Sequence, residues 1–268
     1  MMPDTLPRPK RVNAAGLFVS STGTGVGKTV VASGIAAYLH SVRRRRLSLW
    51  KPVQSGVALG SPDADSYRLR MGSGMSELAE EDIATWTLRE PLAPWMASER
   101  EGIRFTAESL MEEGRRRLES DAFLLAEGAG GIAVPLTREV TMADLARGLG
   151  LPVLLVSAPG LGTVSHTVTA ISYARQRGID DIAVVFSGPP EATSEREIEE
   201  NVRMIEAMTN VPVLGVMPWL PQPQGMHAAD PSAWAAWRER WLQLQCTMRL
   251  SRLTQWLEDR EWGEKKER

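Results

Sequence analysis

From residue 15 to about residue 215, short apolar runs alternate with amphipathic stretches. The runs at 17–20, 47–50, 123–126, 153–156, 182–186 and 213–216 are apolar throughout, which predicts strands buried on both faces. Between them, near 28–42, 65–71, 107–118, 142–149, 164–177 and 195–208, apolar positions recur at three- and four-residue spacing and predict helices. Gly150 and Gly178 stand where helix C-caps belong, and Pro152 and Pro212 immediately precede strands. Fully apolar strands separated by helices predict an α/β fold: a doubly wound, mainly parallel sheet with helices on both faces. No internal repeat is present.

After Pro223 the pattern changes. Trp234, Trp237, Trp241 and Leu244 recur at helical spacing, followed by Leu250, Leu253, Trp256 and Leu257. The expectation is one long amphipathic helix, or a pair, packed on the domain or on another subunit. The chain thus divides into a flexible leader over 1–14, a domain over 15–225 and a helical C-terminal extension over 226–268, whose charged last residues should fray.

Composition narrows the function. The chain has 268 residues, 43% hydrophobic and 24% charged, as an ordinary globular protein of one domain plus an appendage has. A formal charge of −2 gives no reason to expect nucleic acid or an anionic membrane as partner. The one basic run, Arg43 to Arg46, is expected to be a solvated helix end whose charges complement the dipole. No apolar run approaches the roughly 20 residues of a membrane span, and the Pro- and Arg-rich leader lacks the apolar stretch of a signal peptide. Cys246 is the only cysteine, which excludes an intrachain disulfide and a thiolate metal cluster and suits a cytoplasmic location.

The chemistry begins at Thr22-Gly23-Thr24-Gly25-Val26-Gly27-Lys28-Thr29, where the first strand turns through glycines into a helix. Glycines let backbone N–H groups point inward, and the helix N-terminus adds its positive end at the same point. Lys28 supplies a point charge for β- and γ-phosphates and Thr29 a hydroxyl for magnesium. The strict P-loop pattern has glycine where Thr22 stands. In a doubly wound sheet, ligands bind beyond the carboxyl ends of the strands. Lys51, Glu127, Ser157 and Ser187 follow four of the predicted strands and so become neighbours. A lysine and a glutamate ending buried strands are costly unless a ligand or metal meets them. Glu127 takes the place of a second magnesium carboxylate, and Asp65, or less favourably Asp63, offers a further oxygen at a helix start.

In this order the motifs resemble the dethiobiotin synthetase family. The loop ending Val26-Gly27-Lys28-Thr29 is followed by Lys51-Pro52-Val53-Gln54-Ser55-Gly56, Asp65 and Pro91-Leu92-Ala93-Pro94. Then come Glu127-Gly128-Ala129-Gly130-Gly131, Gly160-Leu161-Gly162-Thr163 with His166, and Pro218-Trp219-Leu220. The resemblance implies ATP-dependent ring closure of diaminopelargonic acid with carbon dioxide to dethiobiotin, through a phosphorylated carbamate. It implies Lys28, Lys51 and Thr24 as catalytic residues and Thr29, Asp65 and Glu127 as magnesium ligands. Nucleotide contacts are implied at Gly25, Val26, Gly27, Lys28, Thr29, Val30, Glu127, Gly128, Ala129 and Gly130, and again at Ser187, Gly188, Pro218, Trp219 and Leu220. Substrate contacts are implied at Ser55, Thr24, Lys51, Gly160, Leu161, Gly162 and Thr163, and a homodimer is implied as well.

The chain departs from the family pattern in three places. Ser21-Thr22-Gly23-Thr24 stands where the family usually has Gly-Thr-Asp-Thr, and Ser187-Gly188 where it commonly has Asn-Asp for the adenine. A serine hydroxyl cannot copy the paired donor and acceptor of an amide, which leaves the base preference open. The tryptophan-bearing tail is longer than the family core. The alternative from another class is a partition- or septum-positioning ATPase switch, whose loop typically carries an extra lysine where Gly23 stands. Its membrane-anchoring tail needs a lysine-rich face that the aromatic stripe lacks. A glutamine-dependent synthetase would need a nucleophilic cysteine, which Cys246 in a tail helix does not supply.

Overall fold

The computed structural model describes residues 16–188, 193–217, 219–247, 252–253 and 255–256, with backbone only at 245–247. The expected leader, Pro218, Leu250, Leu257 and the charged end lie outside the described residues.

Seven parallel strands form one sheet in the order β3-β2-β4-β1-β5-β6-β7. They are β1 (Gly16–Ser21), β2 (Leu47–Ser55), β3 (Ala84–Leu88), β4 (Phe123–Glu127), β5 (Val153–Ser157), β6 (Ile182–Ser187) and β7 (Val213–Met217). The helices are α1 (Lys28–Ala37), α2 (Asp65–Ser73), α3 (Pro94–Glu101), α4 (Ala107–Leu118), α5 (Met142–Leu149), α6 (Thr163–Gln176), α7 (Glu195–Thr209) and α8 (Pro231–Thr247). The doubly wound parallel architecture expected from the apolar runs is the one observed.

Because strand side chains alternate, each apolar run feeds two cores at once. Leu17, Val19, Leu125 and Val156 face one side, with Val31 of α1, Leu69 of α2 and Trp234 of α8. Phe18, Leu124 and Leu155 face the other, with Leu110 of α4, Leu145 of α5 and Ile171 of α6. This double burial explains why the runs carry no period-two signal.

Three elements depart from the sequence expectation. β3 and α3 were not anticipated: β3 is an edge strand with a half-buried Thr85, Trp86 and Thr87, and α3 buries only Pro94, Ala97 and Ser98. β2 runs five residues beyond Trp50, so Lys51 lies inside the strand, not after it. β2 pairs with β4 only from Leu47 to Trp50, and with β3 from Lys51 onward. The Lys51 N–H donates to Ile83 O at 2.8 Å. Pro52, which has no N–H to give, falls where β2 has parted from β4. That divergence brings Lys51 opposite the end of β4.

The tail packs on its own domain. Trp234, Trp237 and Trp241 of α8, with Leu253 and Trp256 beyond it, are buried in the α1–α2 core. The Trp241 ring lies against Gly34 of α1 so closely that a Cβ there would overlap it. Alanine is the better helix former by up to about 1 kcal/mol, yet Gly34→Ala should lower stability by about 1–3 kcal/mol through overpacking. Denaturant unfolding measures this, and a stabilised Gly34→Ala chain would show that α8 does not seat there.

Candidate functional site

The loop after β1 is shaped by two left-handed residues, Gly25 at φ 78° and Gly27 at φ 85°. At Gly25 nothing lies near the position of a Cβ, so the backbone conformation alone selects glycine. At Gly27 a Cβ would also run into the Ser187 hydroxyl at the end of β6. α1 starts directly after it, at Lys28. The Ser21 hydroxyl lies 2.7 Å from Gly23 O and 2.9 Å from Gly130 O, joining the loops after β1 and β4. Thr22 donates to Ser157 Oγ at 3.2 Å, and Ser157 meets Thr163 Oγ1 at 3.0 Å.

Beneath this loop lies a charge cluster. Lys51 Nζ is 2.6 Å from Asp65 Oδ2, 2.8 Å from Glu127 Oε1 and 3.0 Å from Gly128 O, which uses all three of its donors. Lys51 and Glu127 are wholly buried, while the Asp65 side chain is 37% exposed. The Thr29 hydroxyl lies 2.9 Å from Asp65 Oδ1 and 2.8 Å from Glu127 Oε1. It has one proton for two carboxylate oxygens, so three oxygens converge where only one hydrogen bond can form. Glu127 Oε2 is buried with no partner among the described residues.

Electrostatics follow from this crowding. Burial lowers the Lys51 ammonium's pKa, but the charges of Asp65 and Glu127 outweigh it and raise the pKa above the ordinary value. Burial also pushes the Asp65 carboxyl up, and Lys51, then Lys28, override it and hold the group far below the usual carboxylate range. For Lys28 burial wins: with Lys51 nearby, its pKa falls despite Glu127 and Asp65. Of the two lysines, Lys28 is therefore the less compensated, and it faces the cleft.

The cleft has a volume of about 720 Å³. Thr24, Gly25, Gly27, Lys28, Thr29 and Val30 line one part of it, and Ser55 and Pro91 through Pro94 line another. Asp65, Ala129, Gly130 and Trp219 also face it. Ser55 Oγ donates to Leu92 O at 2.7 Å, closing the far wall. Val26 packs against the α1–α2 core, and Gly128 gives its carbonyl to Lys51.

Other expected site residues are not brought here. Gly162 and Leu161, with Thr193 and Met204, line a different groove of about 740 Å³ at α6 and α7. Thr163 is buried under Ser157, Gly160 sits beside Thr193, and Leu161 is fully exposed. Ser187 is buried with its Oγ unpartnered among the described residues. A Cβ at Gly188 would stand 2.6 Å from Pro159 Cδ, so a side chain there would force Pro159 to shift. Leu220 gives its carbonyl to Trp237, and Asp63 pairs with Arg68 at the surface.

The structure also shows residues that sequence reasoning missed. Gln54 accepts from Ser66 N at 3.0 Å and donates to Ser66 Oγ at 2.8 Å, and Ser66 donates to Glu80 Oε1 at 2.5 Å. Glu80 Oε2 accepts from Gly60 N at 3.0 Å. This buried, fully satisfied network fixes the start of α2, and with it Asp65. Its members are spread over 27 residues from Gln54 to Glu80, so no spacing announces them.

Residues 15–226 match a family model described as an AAA domain. The ATP-dependent dethiobiotin synthetase of Bacillus thuringiensis (strain Al Hakam) is 40% identical over 205 residues, covering 76% of this chain and 84% of that protein. The same enzyme of Bacillus anthracis (strain A0248) is 39% identical over the same shares. Among solved structures, a ParA family ATPase from Chlorobium tepidum TLS is similar at a TM-score of 0.47 and 13% identity, covering 92% of this chain and 99% of that one. The MinD cell division protein of Aquifex aeolicus is similar at 0.45 and 13%, covering 92% and 95%. Likeness that slight carries no function across. The long, 40% identical match to the Bacillus thuringiensis enzyme, beside a family match over residues 15–226, establishes that the chain belongs to the ATP-dependent dethiobiotin synthetase family.

Proposed function

We propose that the chain is a dethiobiotin synthetase, a C–N bond-forming ligase of biotin biosynthesis that uses ATP to close a cyclic urea on 7,8-diaminopelargonic acid and carbon dioxide. The observation that carries this is the buried Lys51–Glu127 pair, joined by the partly exposed Asp65, directly under the glycine loop. One substrate amine adds carbon dioxide and loses a proton to give a carbamate. A carbamate oxygen displaces ADP from the γ-phosphorus. The second amine then attacks the carbamate carbon, expelling phosphate and losing a proton.

No step requires covalent attachment to the protein; each requires that negative charge be held still. Backbone N–H groups of the loop around Gly25 and Gly27, with the start of α1, would cradle the phosphates, and Lys28 would meet the β- and γ-oxygens. Lys51 would neutralise charge between carbamate and phosphoryl group, while Thr24 and Ser55 would contact the diamine side. Magnesium fits the donor set: Thr29, Asp65 and Glu127 offer hard oxygens, one hydroxyl proton cannot serve both acids, and Glu127 Oε2 is unpartnered. When bound, magnesium supplies charge to the β- and γ-phosphates.

A homodimer accounts for the loop at 160–163. Within one chain it lines a groove apart from the main cleft, and Leu161 projects fully into solvent. In a two-fold pair that loop would complete the partner's substrate site. The single cysteine, Cys246, suits a cytoplasmic location. Gly23, in place of an extra loop lysine, remains the mark against a partition-type switch.

Phosphate release from ATP should require both diaminopelargonic acid and bicarbonate; turnover that ignores both would sink the synthetase assignment. Lys51→Ala should lower kcat at least about 100-fold, and near-normal turnover by the folded variant would remove Lys51 from the mechanism. Lys28→Ala should weaken ATP binding about 10- to 100-fold, the loss of a charged hydrogen bond. Unchanged affinity by calorimetry would remove the phosphate cradle.

A further inference from the structure

The C-terminal helix α8 begins beyond the 15–226 family match and has no part in the function proposed above. Its contacts fall on the elements that carry the cleft. Trp241 lies on Gly34 of α1, the helix that starts with Lys28 and Thr29. Arg238 donates to Met71 O of α2 at 2.6 Å, and Trp234 meets Tyr67 of α2 edge-on at 6.5 Å. Trp237 donates its indole N–H to Leu220 O at 2.9 Å. Two residues on, Gln222 Nε2 donates to Ser33 Oγ of α1 at 2.9 Å. The segment 219–222 is thus held from both sides, and its Trp219, Pro221 and Gln222 line the cleft.

Trp219 is unlike the other tryptophans of this region. Trp234, Trp237 and Trp241 are buried, but Trp219 is 37% exposed and lines the cleft. Its Cζ3 lies 3.5 Å from the position of a Cβ on Gly27, at the turn where the phosphates would sit. A partly exposed indole beside a phosphate cradle can serve as a platform for a nucleobase, and stacking accepts any base. That fits an end of β6 whose Ser187 and Gly188 carry no amide or acid to read one.

We propose that α8 is the positioning element of the base platform, with Trp237 as the positioning residue that holds Leu220 and so fixes the Trp219 ring beside Gly27. The proposal rests on the nucleotide-binding reading of the cleft. Trp237 touches no substrate; it acts through the backbone of its neighbour. A helix that served folding alone would, when weakened, lower thermal stability and affect both substrates alike. A helix that positions Trp219 affects the nucleotide selectively.

The test is a double-variant cycle on the full chain, with ATP affinity read by calorimetry and kinetics read for each substrate. Trp219→Ala should weaken ATP binding about tenfold. Trp237→Phe keeps an aromatic ring but loses the N–H, and should raise the ATP KM and Kd about three- to tenfold. Its kcat and diamine KM should stay within about twofold of wild type. The double variant should bind no more than about twofold more weakly than Trp219→Ala, because both changes act at one ring. Wild-type affinity in Trp237→Phe, or losses that multiply, would overturn the proposal. So would unchanged affinity in Trp219→Ala, whatever the fate of the Trp237 variant. A wild-type chain that binds no nucleotide would overturn the functional reading itself, a result distinct from these.

Discussion

The site depends on one buried ammonium between two carboxylates. Lys51 sits wholly inside the protein, where an unpaired charge would cost several kcal/mol, and only Asp65 and Glu127 make that position tolerable. Those acids come from separate elements, one at the start of α2 and one at the end of β4. Satisfying Lys51 therefore fixes the start of a helix against the end of a strand. Thr29, at the start of α1, meets the same two acids, so three elements converge on one small set of oxygens. Replacing such a cluster with apolar groups is often neutral or stabilising. Its retention here is best understood through what it can do to phosphate.

Sheet order explains why the cluster forms where it does. β4 lies between β2 and β1, so the ends of all three reach the same edge, and every strand is parallel. The divergence of β2 from β4 after Trp50 opens the space that Lys51 fills. On the far side of α1, α8 and its tryptophans close the α1–α2 face. The phosphate-side helix is thus gripped by strand ends below and an aromatic helix behind.

Most of the fold could be read from the chain because burial on both faces is written directly as apolar runs. Helices with a strong apolar stripe were equally plain: α4 and α5 have the bounds their spacing predicts. β3 and α3 escaped because elements at the sheet edge and surface bury too little to leave a pattern. β2 was cut short because Lys51, Pro52 and Gln54 look like a loop; their burial comes from partners distant in sequence. The candidate residues on the loops after β1, β2 and β4 do meet in one cleft, since topology alone brings those strand ends together. The loop at 160–163 does not join them but lines the groove at α6 and α7, a separation that no sequence pattern states. The Gln54–Ser66–Glu80 network was invisible for the same reason: hydrogen bonds across a fold have no periodicity.

The location of Lys51 within β2 has a consequence for catalysis. A lysine on a loop can swing after its substrate, whereas this one is fixed in the interior of a sheet, with its backbone bonded to the neighbouring edge strand. Its charge is a stationary landmark. In the proposed reaction the protein would have little to rearrange, and the moving parts would be the small molecules, drawn toward a field already in place.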